Sequence, residues 1–220
     1  MRLPLLLVDE LRGYYRTKAV VLMWIGLPLI SILLKWLQPE IEGMDVSVFT
    51  ALMLTSLGGT LGAVTLGTSI AGDMNQHVYD LFLIRPVKRY EIVISKFLAV
   101  YLLLLGVLAV SMVSAIAIDT LVYGTPVNLI VASIQEPLLL TVASMAFACA
   151  TGTAVGIVMD SVAVAAIASL YLGGQLSSVP FLVAILLFKS GDLLFPLLLA
   201  AVAALLTLSL AVVIFGRRQL

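Results

Sequence analysis

The sequence predicts an all-α polytopic membrane protein: six transmembrane helices, an N-terminal interfacial amphipathic helix, and a short helix in a cytoplasmic loop. Three observations support it. The chain is 62% hydrophobic and 11% charged, with a mean hydropathy of +1.20, whereas a soluble domain carries about 25% charged residues. So much apolar surface cannot be hidden in one core, and lipid must solvate part of it. Second, the apolar residues fall in stretches of membrane-spanning length. Third, the basic residues gather in alternate connections.

A helix needs about 20 apolar residues to cross about 30 Å of hydrocarbon. The stretches 19–37, 47–71, 92–118, 137–159 and 193–215 meet this, and 161–188 meets it with an expected break near Gly173 and Gly174. Lys and Arg are retained on the cytoplasmic side. They occupy the N-terminal segment (Arg2, Arg12, Arg16, Lys18), the second-to-third connection (Arg85, Lys88, Arg89, Lys96) and the tail (Arg217, Arg218). Between the first and second spans stand Glu40, Glu42 and Asp45 with no basic residue, and 119–136 has none either. The pattern places both termini in the cytoplasm. The turn at Asp160 carries no positive charge, and its carboxylate is suited to cap the following helix.

Residues 1–18 carry Asp9 and Glu10 and lack a long apolar region and a small-residue cleavage site, so they are not read as a signal peptide. As a helix they align Leu3, Leu7, Leu11 and Tyr14 on one face, with Arg2, Asp9 and Arg16 on another. This is the pattern of a helix lying in the interface, apolar side down. The expected organisation is a connecting segment 1–18 followed by a six-helix domain 19–220.

Several function classes lose support. With 12 basic and 12 acidic residues the net charge is zero, which argues against a nucleic-acid partner. No span carries a charge at its centre, where ion-coupled transporters keep ionisable groups, and Lys96 is placed to snorkel back to the cytoplasm. His77, the one histidine, lies in a loop, so no H-E-x-x-H zinc motif exists, and there is no G-x-x-x-x-G-K-[ST] phosphate loop. An intramembrane enzyme would need a polar constellation at one depth, and only scattered Ser and Thr appear. No catalytic, cofactor-binding or metal-binding residue is expected on this chain. Cys149, flanked by alanines, reads as a small buried apolar residue.

Small residues form ridges instead. Gly58 with Gly62, and Gly59 with Ala63 and Gly67, repeat at four-residue spacing in the second stretch; Ala148, Gly152 and Gly156 do so in the fourth. Such ridges let backbones approach closely in lipid. Bundling within the chain and dimerisation through a ridge are both consistent with them.

The loop 73–91 is the longest polar and basic stretch. Val78, Leu81 and Phe82 share a face of a short helix that Pro86 must end. An apolar stripe flanked by Arg85, Lys88 and Arg89 suits either anionic headgroups or the groove of a partner protein.

This stretch resembles the membrane subunits of ABC transporters of the type-2 exporter class, the ABC-2 type permeases. There the second span is followed by acidic-x-Gly-Thr-x-Glu-Leu-Leu-Leu-x-x-Pro-Val-x-Arg-x-Glu-Ile and then a lysine. Asp80, Leu81, Leu83, Pro86, Val87, Arg89, Glu91, Ile92 and Lys96 match, and Phe82 replaces a leucine. Asn75, His77 and Val78 depart, standing for the acidic residue and Gly-Thr. The resemblance implies that 1–18 is a connecting helix and that 73–89 holds a coupling helix docking on a separate ATP-binding subunit. Val78, Asp80, Leu81, Phe82, Arg85, Pro86, Arg89 and Glu91 would then contact that partner. It further implies two ATPase subunits, which would hold ATP and Mg, a second permease subunit, and a multi-pass place in the cell membrane. It also implies an outer re-entrant hairpin at 173–192. Family members export lipids, polysaccharides, drugs or toxins. A membrane anchor or assembly scaffold for a cytoplasmic ATPase is the alternative reading.

Overall fold

A computed structural model describes residues 3–15, 18–37, 45–76, 89–187 and 194–217. Among them the protein is helical, without a strand. The first helix, α1 (Leu3–Tyr15), leads into α2 (Lys18–Leu37). Next come α3 (Val46–Met53), a π turn (Leu54–Gly58) and α4 (Gly59–Asn75), stacked end to end. They are followed by α5 (Arg89–Leu121), α6 (Val127–Val158), α7 (Val162–Leu187) and α8 (Leu194–Arg217). Five helical stretches are long and apolar enough to cross a membrane: Val46–Asn75, Tyr90–Leu121, Val127–Val158, Val162–Pro180 and Leu194–Arg217. The sixth expected stretch falls on α2, whose described apolar run, Val20–Ile30, is shorter.

The bundle is organised around α6, which packs on α3, α4, α5, α7 and α8. The glycine ridges explain how. A Cβ on Gly152 would collide with the backbone of Ala63, and one on Gly156 would stand 2.8 Å from the Gly67 carbonyl oxygen. From the other side, Gly173 faces the Ala63 methyl and Gly59 faces Ser177. Gly62 lies against Leu104 and Cys149, and Gly58 against Met145. Both ridges are therefore consumed inside the chain, holding α4 between α6 and α7. Glycine is required there because backbone, which cannot yield, occupies the space of any side chain.

The expected break at Gly173 and Gly174 is absent, since α7 runs through both. Gly174 packs 2.9 Å, measured from an added Cβ, from the Thr60 methyl, so the seam with α4 covers this pair of weak helix formers. Of the expected re-entrant segment 173–192, residues 173–187 are helical in α7, Pro180 included, and 188–192 lie outside the described residues. A second difference concerns 119–136, expected as a loop. Here α5 continues to Leu121 and α6 starts at Val127, ahead of Pro137, because Ile130 and Ile134 are buried and draw the segment onto the bundle. Gly124, at φ +66°, makes the remaining turn.

Two polar devices shape the α3 end. The Asp119 carboxylate, buried on α5, accepts the backbone N–H groups of Val46 and Ser47 at 2.9 Å each, capping a helix that lies 73 residues away in sequence. Orphan donors of the first turn are thereby satisfied by a negative charge at the positive end of the helix. The π turn coincides with a bond competition. The Thr55 and Thr141 hydroxyls lie 2.7 Å apart and each lies 3.0 Å from the Ala51 carbonyl, so, with one proton apiece, one donates to that carbonyl and accepts from the other. A hydroxyl competing for the carbonyl loosens the ladder there.

Replacing Gly152 by Ala lowers stability by about 2 kcal/mol through overpacking. Asp119→Ala costs about 2 kcal/mol and Asp119→Asn less, since the amide keeps one acceptor. Thermal unfolding in detergent reads both.

Candidate functional site

The site is the end of the bundle where α4 stops and α5 begins. Of the residues expected to contact a partner, Val78, Asp80, Leu81, Phe82, Arg85 and Pro86 lie outside the described residues. Arg89 opens α5, and Glu91 follows in its first turn, half-buried. The helix-packing residues Gly58, Gly62, Gly67, Gly152 and Gly156 lie deeper, in the seams described above.

What the structure adds is a buried charge cluster where α4 ends and α5 begins. Lys96 is 7% exposed rather than snorkelling to solvent. Its Nζ lies 2.7 Å from Asp73 Oδ2 and 3.1 Å from Glu10 Oε1. The snorkelling expectation fails because two carboxylates are brought to the lysine, which removes the need to reach water. Asp73 occupies the last turn of α4, where the helix dipole disfavours a negative charge. The ammonium compensates it there. Glu10 and Asp73 are 24% and 28% exposed, so the cluster opens toward the surface on its acidic side.

A second tie stands beside the first. The Tyr14 phenol donates to Ser69 Oγ at 2.9 Å, joining α1 to α4. Burial raises the Tyr14 pKa above its ordinary value, outweighing the lowering by Lys96 and Ser69, so the phenol stays protonated and keeps its donor. Helix α1 packs along α5, with Leu7, Leu11 and Tyr14 half-buried and Asp9 and Arg12 exposed. One lysine and one tyrosine therefore bind α1 to both helices that flank 77–88.

The sequence placed Tyr14 on the apolar face of α1 and Glu10 among the charges that exclude a signal peptide, but did not bring either to Ser69, Asp73 or Lys96. The available signal was depth: two acids and a lysine, all near one predicted boundary, had no other stated partner. Among the described residues no group of three His, Cys, Asp or Glu side chains could hold a metal ion.

Among the described residues these features define an all-helical protein with several helices apolar enough to cross a membrane and a charge clamp where α4 ends and α5 begins. The chain belongs to the family described as a protein of unknown function, DUF2705, whose model matches residues 41–220. That match covers α3 through α8 and leaves out α1 and α2. No curated protein matches the chain.

Lys96→Met, which leaves two acids facing a vacant site, lowers stability by about 2–3 kcal/mol, discounted for their partial exposure. Limited proteolysis then cuts between α1 and α2 at a higher rate. Tyr14→Phe costs about 1 kcal/mol and gives a smaller rise in the same cleavage.

Proposed function

We propose that this chain is the membrane subunit of an ATP-driven ABC transporter of the type-2 exporter class, with six crossings and both termini in the cytoplasm. The observation that carries the reading is the buried Lys96, which ties α1 to the ends of α4 and α5 on either side of 77–88. A segment whose two flanking helices are both tied to a third transmits force, because those helices do not move independently. The match of Asp80, Leu81, Leu83, Pro86, Val87, Arg89, Glu91 and Ile92 to the coupling segment supports the same reading.

The mechanism follows from these parts. A separate ATP-binding subunit, which holds ATP and Mg, takes the loop in a cleft. Leu81 and Phe82 act as apolar anchors and Arg85 and Arg89 as charges at the rim. Closure of two such subunits on ATP displaces each loop as a lever, and the clamp passes that displacement to α1, α4 and α5 together. Two membrane subunits then rearrange against each other to move the cargo.

The first test is isolation of the full chain from its native membrane. A soluble subunit bearing a phosphate-loop motif co-purifies, and Leu81→Asp lowers its recovery at least tenfold while membrane insertion is kept. Absence of any such subunit overturns the reading. In reconstituted vesicles Leu81→Asp abolishes ATP-dependent transport; a complex that hydrolyses ATP without moving any cargo identifies a scaffold instead.

A further inference from the structure

We infer that α5 and α6 extend as a finger beyond the bilayer at the end opposite the clamp, and that its tip binds a cationic amphipathic peptide. Length comes first. At 1.5 Å per residue the 32 residues of α6 make a rod of about 48 Å, whereas the hydrocarbon is about 30 Å thick. The surface of α6 shows which part is in excess. Glu136 is exposed, as are Asn128, Ser133 and Gln135 on the same side of Pro137. From Pro137 to Val158 the helix already covers about 33 Å, and Asp160, exposed just past its end, marks the other boundary. Residues 127–136 therefore reach about 15 Å past the hydrocarbon, more than the headgroup layer of about 5–8 Å on each side. The finger is held along the bundle axis. Ile130 and Ile134 are buried, the Ser133 hydroxyl donates to Asp45 Oδ2 at 3.1 Å, and Asp119 of α5 caps α3.

The tip carries the wrong surface for water. Leu121, Val122, Tyr123, Val127, Leu129 and Val131 are each 45–85% exposed, on the last turn of α5, the turn at Gly124 and the start of α6. Hydrocarbon covers residues of this kind on α8, but it does not reach a tip that stands clear of the headgroups. Apolar side chains gathered in water mark an interaction site.

Charge selects the occupant. Glu136 is exposed and Asp45 half-buried at the base of the finger, and among the described residues neither is in an ion pair. Between 97 and 188 the chain has no Lys or Arg, and the connection before α3 adds Glu40 and Glu42. An apolar tip above unpaired carboxylates complements a peptide that presents Lys or Arg beside apolar side chains. Anionic headgroups are repelled by the same carboxylates. The inference rests on the membrane placement proposed above and not on ATP coupling.

Two measurements test it. In intact cells a membrane-impermeant maleimide labels Tyr123→Cys but not Leu139→Cys, which is exposed on α6 one turn inside Glu136; the buried Cys149 of the wild type stays unlabelled. The full chain in phosphatidylcholine nanodiscs binds a fluorescent amphipathic peptide of Leu and Lys at least tenfold more tightly than empty discs do. The same peptide with Glu in place of Lys shows no such preference. The double variant Leu121→Ser with Tyr123→Ser, at exposed positions that keep the helix content, weakens binding about tenfold. Glu136→Gln weakens it about threefold and flattens its salt dependence. The inference is overturned if Tyr123→Cys is labelled no better than Leu139→Cys, if the Lys peptide prefers the chain no more than the Glu peptide does, or if the double variant binds like the wild type. Recovery of an ATP-binding subunit does not depend on any of these results, so the two proposals fail separately.

Discussion

Backbone lies on backbone where α4 crosses α6, with Gly152 against Ala63 and Gly156 against Gly67. Every other contact is referred to this one. Because no side chain intervenes, the separation of the two helices is set by main-chain atoms and cannot relax by a rotamer change. It fixes where α7 must sit, since Gly173 and Gly174 close on Ala63 and Thr60 from the opposite side. It also carries Asp73, at the end of α4, to the depth at which Lys96 of α5 can reach it.

Polar groups then secure the two ends of the bundle in different ways. At one end Asp119 reaches across from α5 to cap α3. At the other, Lys96 gathers Glu10 and Asp73, with Tyr14 on Ser69 alongside. Both devices bury charge, and neither leaves it unpaired, so the desolvation cost is offset by directed bonds. Both also join helices distant in sequence. The result is a frame whose ends are held while its middle packs through glycine.

That arrangement suits a protein acted on from one end. The clamp ties α1 to the ends of α4 and α5 on either side of 77–88, and under the proposed function these helices are what a partner moves.

Much of the fold was legible in the sequence because the bilayer is a demanding solvent. Apolar run length marked the helices 18–37, 46–75, 89–121, 162–187 and 194–217 closely, and heptad-like spacing marked α1. The ridges at Gly58, Gly62, Gly67, Gly152 and Gly156 were visible as spacing, yet spacing does not say which neighbour a ridge meets. The loop motif was visible too, and it lies mostly outside the described residues.

By itself, then, the sequence determined that this chain is a bundle of apolar helices and where most of them begin and end, since both follow from local composition against a fixed hydrocarbon thickness. Only the tertiary structure decided that α7 passes through Gly173 and Gly174 unbroken, that Lys96 is clamped and not snorkelling, and that Asp119 caps α3. Each depends on a partner brought close by packing. Hydropathy sums over neighbours in sequence; a hydrogen bond or an ion pair depends on neighbours in space.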